Sequence, residues 1–272
     1  MPGVNRNLKF GLMNINPFLL SGKNIIITGS SSGIGRACAI ECAKSGSNLF
    51  LLGRDVSRLQ ETLAEIEKID MVPHCKVHAH SADLTENLEE LSPAIDEFIG
   101  KNGKFDGFIH SAGIEKTLPM AAMKVTDYER IFSINVIAGF QLAKIISRRR
   151  NSNDKASLVF ISSITAMIGR KGIIGYSASK GALISGTRAM ALELADRGLR
   201  ANCISPGTIL TPLMVKYLDT LTPEDRAKRV DGYPLGLGSP ADVAYSAIYL
   251  LSDASRWITG QNIILDGGYT VR

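Results

Sequence analysis

The chain has 272 residues, 45% of them apolar, enough to bury a sizeable core in one α/β domain. Its net charge of +5 comes from basic residues spread along the chain, and the one dense run, Arg148-Arg149-Arg150, ends a helical stretch where cations offset the helix dipole; no nucleic acid partner is expected. The four cysteines (Cys38, Cys42, Cys75, Cys203) lack a paired ligand spacing, so they read as reduced thiols in a cytoplasmic protein without a metal site.

Residues 1–22 read as an N-terminal extension. Asn14, Asn16 and Pro17 interrupt its apolar letters, which argues against a signal peptide, and no run is long enough to span a membrane. Met13 is a candidate alternative start. With no internal repeat or linker, residues 23–272 are expected to form a single domain. Short β-branched runs then alternate with amphipathic stretches. Strands are expected at 24–28, 48–52, 74–80, 105–110, 158–162, 201–205 and 262–265. Helices are expected at 34–44, 56–69, 86–99, 127–147, 177–195 and 241–251. Strands separated by helices make right-handed βαβ units, so the fold class is α/β: a Rossmann-like, doubly wound parallel sheet of about seven strands covered on both faces. Ligands bind such sheets beyond the carboxyl ends of the strands, where the winding reverses.

The turn from the first strand into the first helix reads Thr28-Gly29-Ser30-Ser31-Ser32-Gly33-Ile34-Gly35. Glycines there let backbone N–H groups approach a pyrophosphate, and the helix start adds unpaired donors and a positive dipole end. Strand before and helix after are the context that gives a glycine-rich stretch its meaning. In this fold the residue closing the second strand holds the adenosine ribose: an acid selects NAD(H), while an arginine accepts the 2′-phosphate of NADP(H). Here Gly53 offers no carboxylate, Arg54 offers a planar donor fork, and Asp55 reads as the N-cap of the next helix. NADP(H) is therefore favoured over NAD(H).

Tyr176 and Lys180 stand at i and i+4 on one helix face. An ammonium beside a phenol lowers its pKa from about 10, which fits a proton donor to a carbonyl or alcohol oxygen. Ser163 ends a strand thirteen residues before Tyr176, where its hydroxyl can meet a developing oxyanion. Asn135 sits in a helical stretch between Ile134 and Val136, either as a functional amide or as a water-satisfied kink.

These motifs together (TGSSSGIG at 28–35, Asn135-Val136, ISS at 161–163, YSASK at 176–180, Pro206-Gly207) resemble the short-chain dehydrogenase/reductase family from about Lys23 to Tyr269. The ending LSDASRWITGQNIILDGGY is similar to that of the 3-oxoacyl-carrier-protein reductase branch. The resemblance implies an NADP(H)-linked oxidoreductase acting on a small carbonyl or secondary alcohol. Tyr176 would be the general acid/base, Lys180 would lower its pKa and hold the nicotinamide ribose, Ser163 would polarise the carbonyl, and Asn135 would hold a relay water. Cofactor contacts would come from Gly29, Ser31, Ser32, Gly33, Ile34, Gly35 and Arg54. Further contacts would come from Asp83 and Leu84 at the adenine, Ala112 and Gly113, and Pro206, Gly207, Ile209 and Thr211 at the nicotinamide end. Residues 208–233 would form a substrate lid, and the assembly would be a homotetramer using the helices after the fourth strand.

Two departures stand out. The family's N-N-A-G is His110-Ser111-Ala112-Gly113 here, with His110 read as structural, like His78 and His80. The segment Pro234-Leu235-Gly236-Leu237-Gly238 is a residue short and lacks the usual basic residue. A 3-oxoacyl thioester, a sugar-derived or other small carbonyl, and a non-catalytic nucleotide sensor remain as readings; a longer-branch nucleotide-sugar epimerase is disfavoured by the G-x-x-x-G-x-G spacing.

Overall fold

The computed structural model describes residues 16–69 and 75–272. Most of the N-terminal extension, Met13 included, and the expected strand start at residue 74 lie outside them.

Seven strands form one parallel sheet: β1 (Asn24–Thr28), β2 (Asn48–Gly53), β3 (Val77–Ser81), β4 (Phe105–His110), β5 (Ser152–Ile161), β6 (Arg200–Pro206) and β7 (Asn262–Leu265). Their order is β3-β2-β1-β4-β5-β6-β7, so the winding reverses between β1 and β4. Thr28 pairs in register with Leu52 on one side and His110 on the other, which brings three strand ends to one level. The helices are α1 (Gly33–Lys44), α2 (Val56–Glu67), α3 (Ser92–Asn102), α4 (Val125–Phe132), α5 (Ala138–Ile146), α6 (Ile174–Glu193), α7 (Pro212–Leu218), α8 (Pro223–Val230) and α9 (Pro240–Leu251).

Because strand side chains alternate, β1 feeds two cores. Ile26 joins Phe50, Phe98, Phe105, Phe108 and Phe160 under α3, α5 and α6. Ile25 and Ile27 join Leu49, Leu51, Cys38, Cys42 and Val243 under α1, α2 and α9. Phe98 stacks on Phe105 at 5.0 Å between ring centres and meets Phe50 edge-on at 5.4 Å. The cysteines are free thiols, and Cys38, Cys42 and Cys203 are buried.

Three expected helices differ, and β5 begins six residues before the strand expected from residue 158. The helix expected from residue 86 begins as a 3₁₀ turn (Leu88–Leu91), and α3 starts only at Ser92. Pro93 lies in its first turn, the one place in a helix where a missing N–H costs nothing. The stretch expected as one helix at 127–147 is α4 and α5 joined by a π turn (Ser133–Ile137) that carries Asn135. Helix α6 opens at Ile174, placing Tyr176 in its first turn rather than ahead of it. The segment 208–233 holds two short helices, α7 and α8, whose starts are capped by Thr211 and Thr222. No helix among the described residues is long and apolar enough to cross a membrane.

Replacing Phe98 by Ala should lower stability by about 3–5 kcal/mol, because it removes a fully packed ring without a neighbour free to fill the space. Chemical denaturation checks this; a change under about 1 kcal/mol would mean that the aromatic cluster collapses around the gap.

Candidate active site

The carboxyl end of β1 turns into α1 through a loop built on glycines that nothing else could replace. Gly29 has φ +72°, and a Cβ there would lie 2.8 Å from the Ala112 nitrogen. A Cβ on Gly35 would fall 2.2 Å from the Gly29 carbonyl oxygen. The loop can close only without side chains at both positions. Ser32 begins α1 without a side-chain cap, and no acid occupies the first turn. Its N–H groups are thus the unpaired donors that suit a phosphate. Thr28 anchors the turn: its Oγ1 accepts from the N–H groups of Ser111 (3.1 Å) and Ala112 (3.2 Å), tying β1 to the strand-end loop after β4. The Thr211 Cγ2 lies 3.2 Å from where a Gly33 Cβ would stand, so the far side of the cleft reaches the same loop. Gly207 closes on Tyr233 in the same way, with a would-be Cβ 2.8 Å from its ring, and the Tyr233 hydroxyl accepts from the Thr208 N–H at 3.0 Å.

Beside this loop the fold gathers Asn135, Ser163, Tyr176 and Lys180. Asn135 is wholly buried, and its amide is satisfied by protein rather than water. Its Oδ1 accepts from the Ile114 N–H at 2.8 Å, while its Nδ2 donates to the Ile114 carbonyl and to Ser179 Oγ, each at 3.0 Å. Gly113 makes the gathering possible: a Cβ there would sit 3.3 Å from Asn135 Oδ1 and 3.4 Å from Lys180 Nζ. Lys180 is buried, its Nζ donates to the Ile161 carbonyl at 2.7 Å, and it stands 5.6 Å from the centre of the Tyr176 ring. Ser163 Oγ accepts from Thr165 N–H and Oγ1–H at 3.2 and 3.0 Å.

Burial pulls the Lys180 ammonium down to about 8. Burial pushes the Tyr176 phenol up to about 12, with the Glu115 carboxylate adding to the rise while the Ser163 hydroxyl and Arg170 oppose it. This differs from the lowered phenol expected from the Tyr176–Lys180 spacing. The reason is desolvation: in the protein alone it outweighs the partners of the phenolate.

Near the β2 end, a cavity of about 440 Å³ is lined by Arg54, Asp83, Thr85, Thr126, Glu129, Arg130, Ser133 and Ile134. Arg54 is exposed and makes no ion pair among the described residues. Asp55 caps α2 as expected, accepting from the Arg58 N–H at 3.0 Å. Asp83 is held below the usual carboxylate range by the Thr85 N–H and hydroxyl, helped by Arg54 and Arg130.

Leu84, Pro206 and Ile209 add no hydrogen-bonding side chain here; Pro206 closes β6, and Ile209 pairs with Gly238 beside Thr208. Sequence reasoning missed Ser179, Glu115, Arg130 and Gly139. Ser179 was legible only as a small residue inside YSASK, and Arg130 had no motif at all. His110 is buried as expected for a structural residue, and His78 stacks on Phe50 at 5.3 Å. Among the described residues no cluster of three or more His, Cys, Asp or Glu could hold a metal ion.

The family described as Enoyl-(Acyl carrier protein) reductase matches residues 29–270 of this chain. The 3-oxoacyl-(acyl-carrier-protein) reductase FabG of Thermotoga maritima is 30% identical, over 93% of this chain and 99% of its own. Glucose 1-dehydrogenase 2 of Bacillus subtilis is 33% identical, over 93% and 96%. A 7α-hydroxysteroid dehydrogenase solved with NADH and 7-oxo glycochenodeoxycholic acid superposes with a TM-score of 0.83 at 30% identity, over 93% of this chain and 96% of that one. The chain belongs to the short-chain dehydrogenase/reductase family.

Gly35→Ala should weaken nicotinamide dinucleotide binding at least about tenfold, roughly 1.4 kcal/mol, because the loop must open to admit the methyl group. Calorimetric titration measures it; unchanged affinity would show that the Gly29 carbonyl can move aside freely.

Proposed function

We propose that this short-chain dehydrogenase/reductase transfers a hydride between NADP(H) and a carbonyl or secondary alcohol, with Tyr176 as general acid/base. The observation that carries the reading is that Asn135 and Lys180 meet at Gly113, with Tyr176 beside Lys180 and Ser163 bonded to Tyr176, next to a glycine loop with uncapped helix donors. The coenzyme supplies the hydride. Gly29, Ser31, Ser32, Gly33, Ile34 and Gly35 hold its pyrophosphate; Asp83 and Leu84 border the adenine. Ala112, Gly113, Pro206, Gly207, Ile209 and Thr211 enclose its nicotinamide half, and Lys180 holds the ribose beside it.

Each side chain then has a stated task. Ser163 donates to the substrate oxygen as negative charge grows there. Tyr176 passes its proton to that oxygen, and the Lys180 ammonium stabilises the phenolate left behind. Asn135 holds, through its backbone carbonyl, the water by which Tyr176 is reprotonated, its side-chain amide being bonded to Ile114 and Ser179. Arg54 accepts the adenosine 2′-phosphate, since Gly53 brings no carboxylate and Asp55 is committed to α2 and Arg58. The neighbour solved with NADH shows that NAD(H) serves other members of the fold, so Arg54 is what favours NADP(H) here.

The substrate reading is a 3-oxoacyl thioester, on the likeness to the Thermotoga reductase and to the matched family's description. A sugar-derived carbonyl is the second reading, on the likeness to the Bacillus glucose dehydrogenase. Residues 23–272 act as one domain, with 208–233 as the lid. A cytoplasmic homotetramer is the expected form, and the exposed Val125 (72%) and Ile137 (54%) on the α4–α5 stretch support an interface there.

The test offers NADPH or NADH with a short 3-oxoacyl thioester, an aldonolactone, a 7-oxo steroid and cyclopentanone, following nicotinamide absorbance. Tight NADPH binding without turnover of any of them would favour a sensor. Tyr176→Phe should lower kcat about a thousandfold; full activity would sink the mechanism. Reduction needs the phenol and the ammonium, so its kcat/KM should hold to about pH 8 and fall above it, where Lys180 loses its proton. Oxidation needs the phenolate beside the ammonium and should climb up to about pH 8 and level off above it. Arg54→Ala should raise KM for NADPH at least about tenfold more than KM for NADH; equal effects would reverse the coenzyme choice.

A further inference from the structure

His110 stands where the family's motif begins with asparagine, and its ring is fully buried at the end of β4. Both ring nitrogens are engaged. Nδ1 lies 3.0 Å from Thr28 Oγ1, and Nε2 lies 3.2 Å from the carbonyl oxygen of Asn135. The proton positions follow from the partners. A carbonyl oxygen only accepts, so Nε2 must carry the hydrogen. Thr28 Oγ1 already accepts two N–H groups, from Ser111 and Ala112, so its own proton goes to Nδ1. The ring is therefore neutral, with the hydrogen on Nε2. Burial and the nearby Lys180 charge agree, holding the imidazolium down to about 3.

A second feature was cut to fit this ring. Gly139, at the start of α5, faces it so closely that a Cβ would lie 2.6 Å from His110 Cδ2 and 2.9 Å from Nε2. The imidazole is therefore met by the α5 glycine on one side and by the Asn135 carbonyl of the π turn on the other. We propose that His110 is a positioning residue for proton transfer: it ties the Asn135 carbonyl, and with it the π turn, to Thr28 at the root of the phosphate loop. In this chain the Asn135 carbonyl is aimed at the relay by a rigid three-part link, Thr28 hydroxyl to imidazole to π-turn carbonyl.

This inference rests on the role proposed for Asn135 and Tyr176, and its failure can be told apart from failure of that role. Two substitutions cut the link at different ends. His110→Gln can place an amide N–H near the position of Nε2 and keep the bond to Asn135, whereas His110→Asn can keep only the Thr28 side. With NADPH and a short 3-oxoacyl thioester, or the panel carbonyl reduced fastest, His110→Gln should keep kcat within about threefold. His110→Asn should lose at least about tenfold, with KM changed less than threefold in both. The solvent deuterium isotope effect on kcat should rise only in His110→Asn, as proton delivery becomes limiting. A role in packing alone would lower the melting temperature of both alike and leave the isotope effect unmoved, which would overturn the proposal even with Tyr176→Phe inactive. A direct measurement needs no turnover: long-range ¹H–¹⁵N spectra of the four histidines should show one ring with a proton on Nε2 and a bare Nδ1 from pH 5 to 9. If no such ring is found, or the His110 ring titrates in that range, the link is wrong.

Discussion

A side-chain amide sealed from water must find every partner inside the protein, and Asn135 is the place where this chain meets that demand. An unpaired buried amide costs about 1–3 kcal/mol. Three hydrogen bonds, to both backbone groups of Ile114 and to Ser179, remove the penalty, and they also dictate geometry. The loop after β4 must run past the π turn, Gly113 must be bare, and α6 must present Ser179 at the right height. Once those are set, Tyr176 and Lys180, one turn apart on α6, have no other place to go. The π turn that a regular helix would avoid is the price of that arrangement, and such turns recur at functional sites for this reason.

Electrostatics works against the same site and shows what a bound dinucleotide and substrate must supply. Drawing Lys180 from 10.5 to about 8 corresponds to about 3 kcal/mol of desolvation. The Ile161 backbone carbonyl meets the ammonium inside the protein, and among the described residues no carboxylate pairs with it. The phenol is likewise held neutral, so in the protein alone the pair is loaded with its protons and poised to donate rather than accept. Ribose hydroxyls beside Lys180 and a polarised oxygen beside Ser163 are the groups that would offset this cost. On the proposed function, the catalytic set is thus complete in residues but balanced only with its ligands in place.

The sheet and most of the cofactor loop were legible because their causes are local. NIIIT can hardly be anything but a buried strand; Gly29 and Gly33 hold left-handed φ values of +72° and +53°, and Gly35 is demanded by the Gly29 carbonyl six residues before it. Asp55 was readable as a cap because capping is a three-residue affair. What escaped had causes distant in sequence. Nothing near residue 133 announces a π turn; its reason is Ile114 and Ser179, one before it in the chain and one after. The Tyr176 phenol was expected to be lowered because the i, i+4 spacing shows the cation and hides the burial. His110 looked merely structural because Thr28 and Asn135, which give its two nitrogens work, lie 82 and 25 residues away.

The segment 208–233 obeys a different logic from the strand ends, and this explains how one catalytic set can serve unlike substrates. It is fastened at a few points: Thr208 and Tyr233 buried and hydrogen-bonded to each other, Leu218 in the interior, and the half-buried Thr211 against the glycine loop. Between them α7 leaves Leu213 77% exposed, with Val215 and Tyr217 each 41% exposed. Those side chains carry little of the fold's stability, so they are free to change without disturbing Asn135 or Tyr176. With Leu213, Val215 and Tyr217 outward, α7 suits, on the proposed function, a substrate with a greasy body and one reactive oxygen. On the proposed reading a 3-oxoacyl chain answers that description better than a sugar, whose many hydroxyls would find only Lys216 and the Tyr217 hydroxyl as polar side chains on α7.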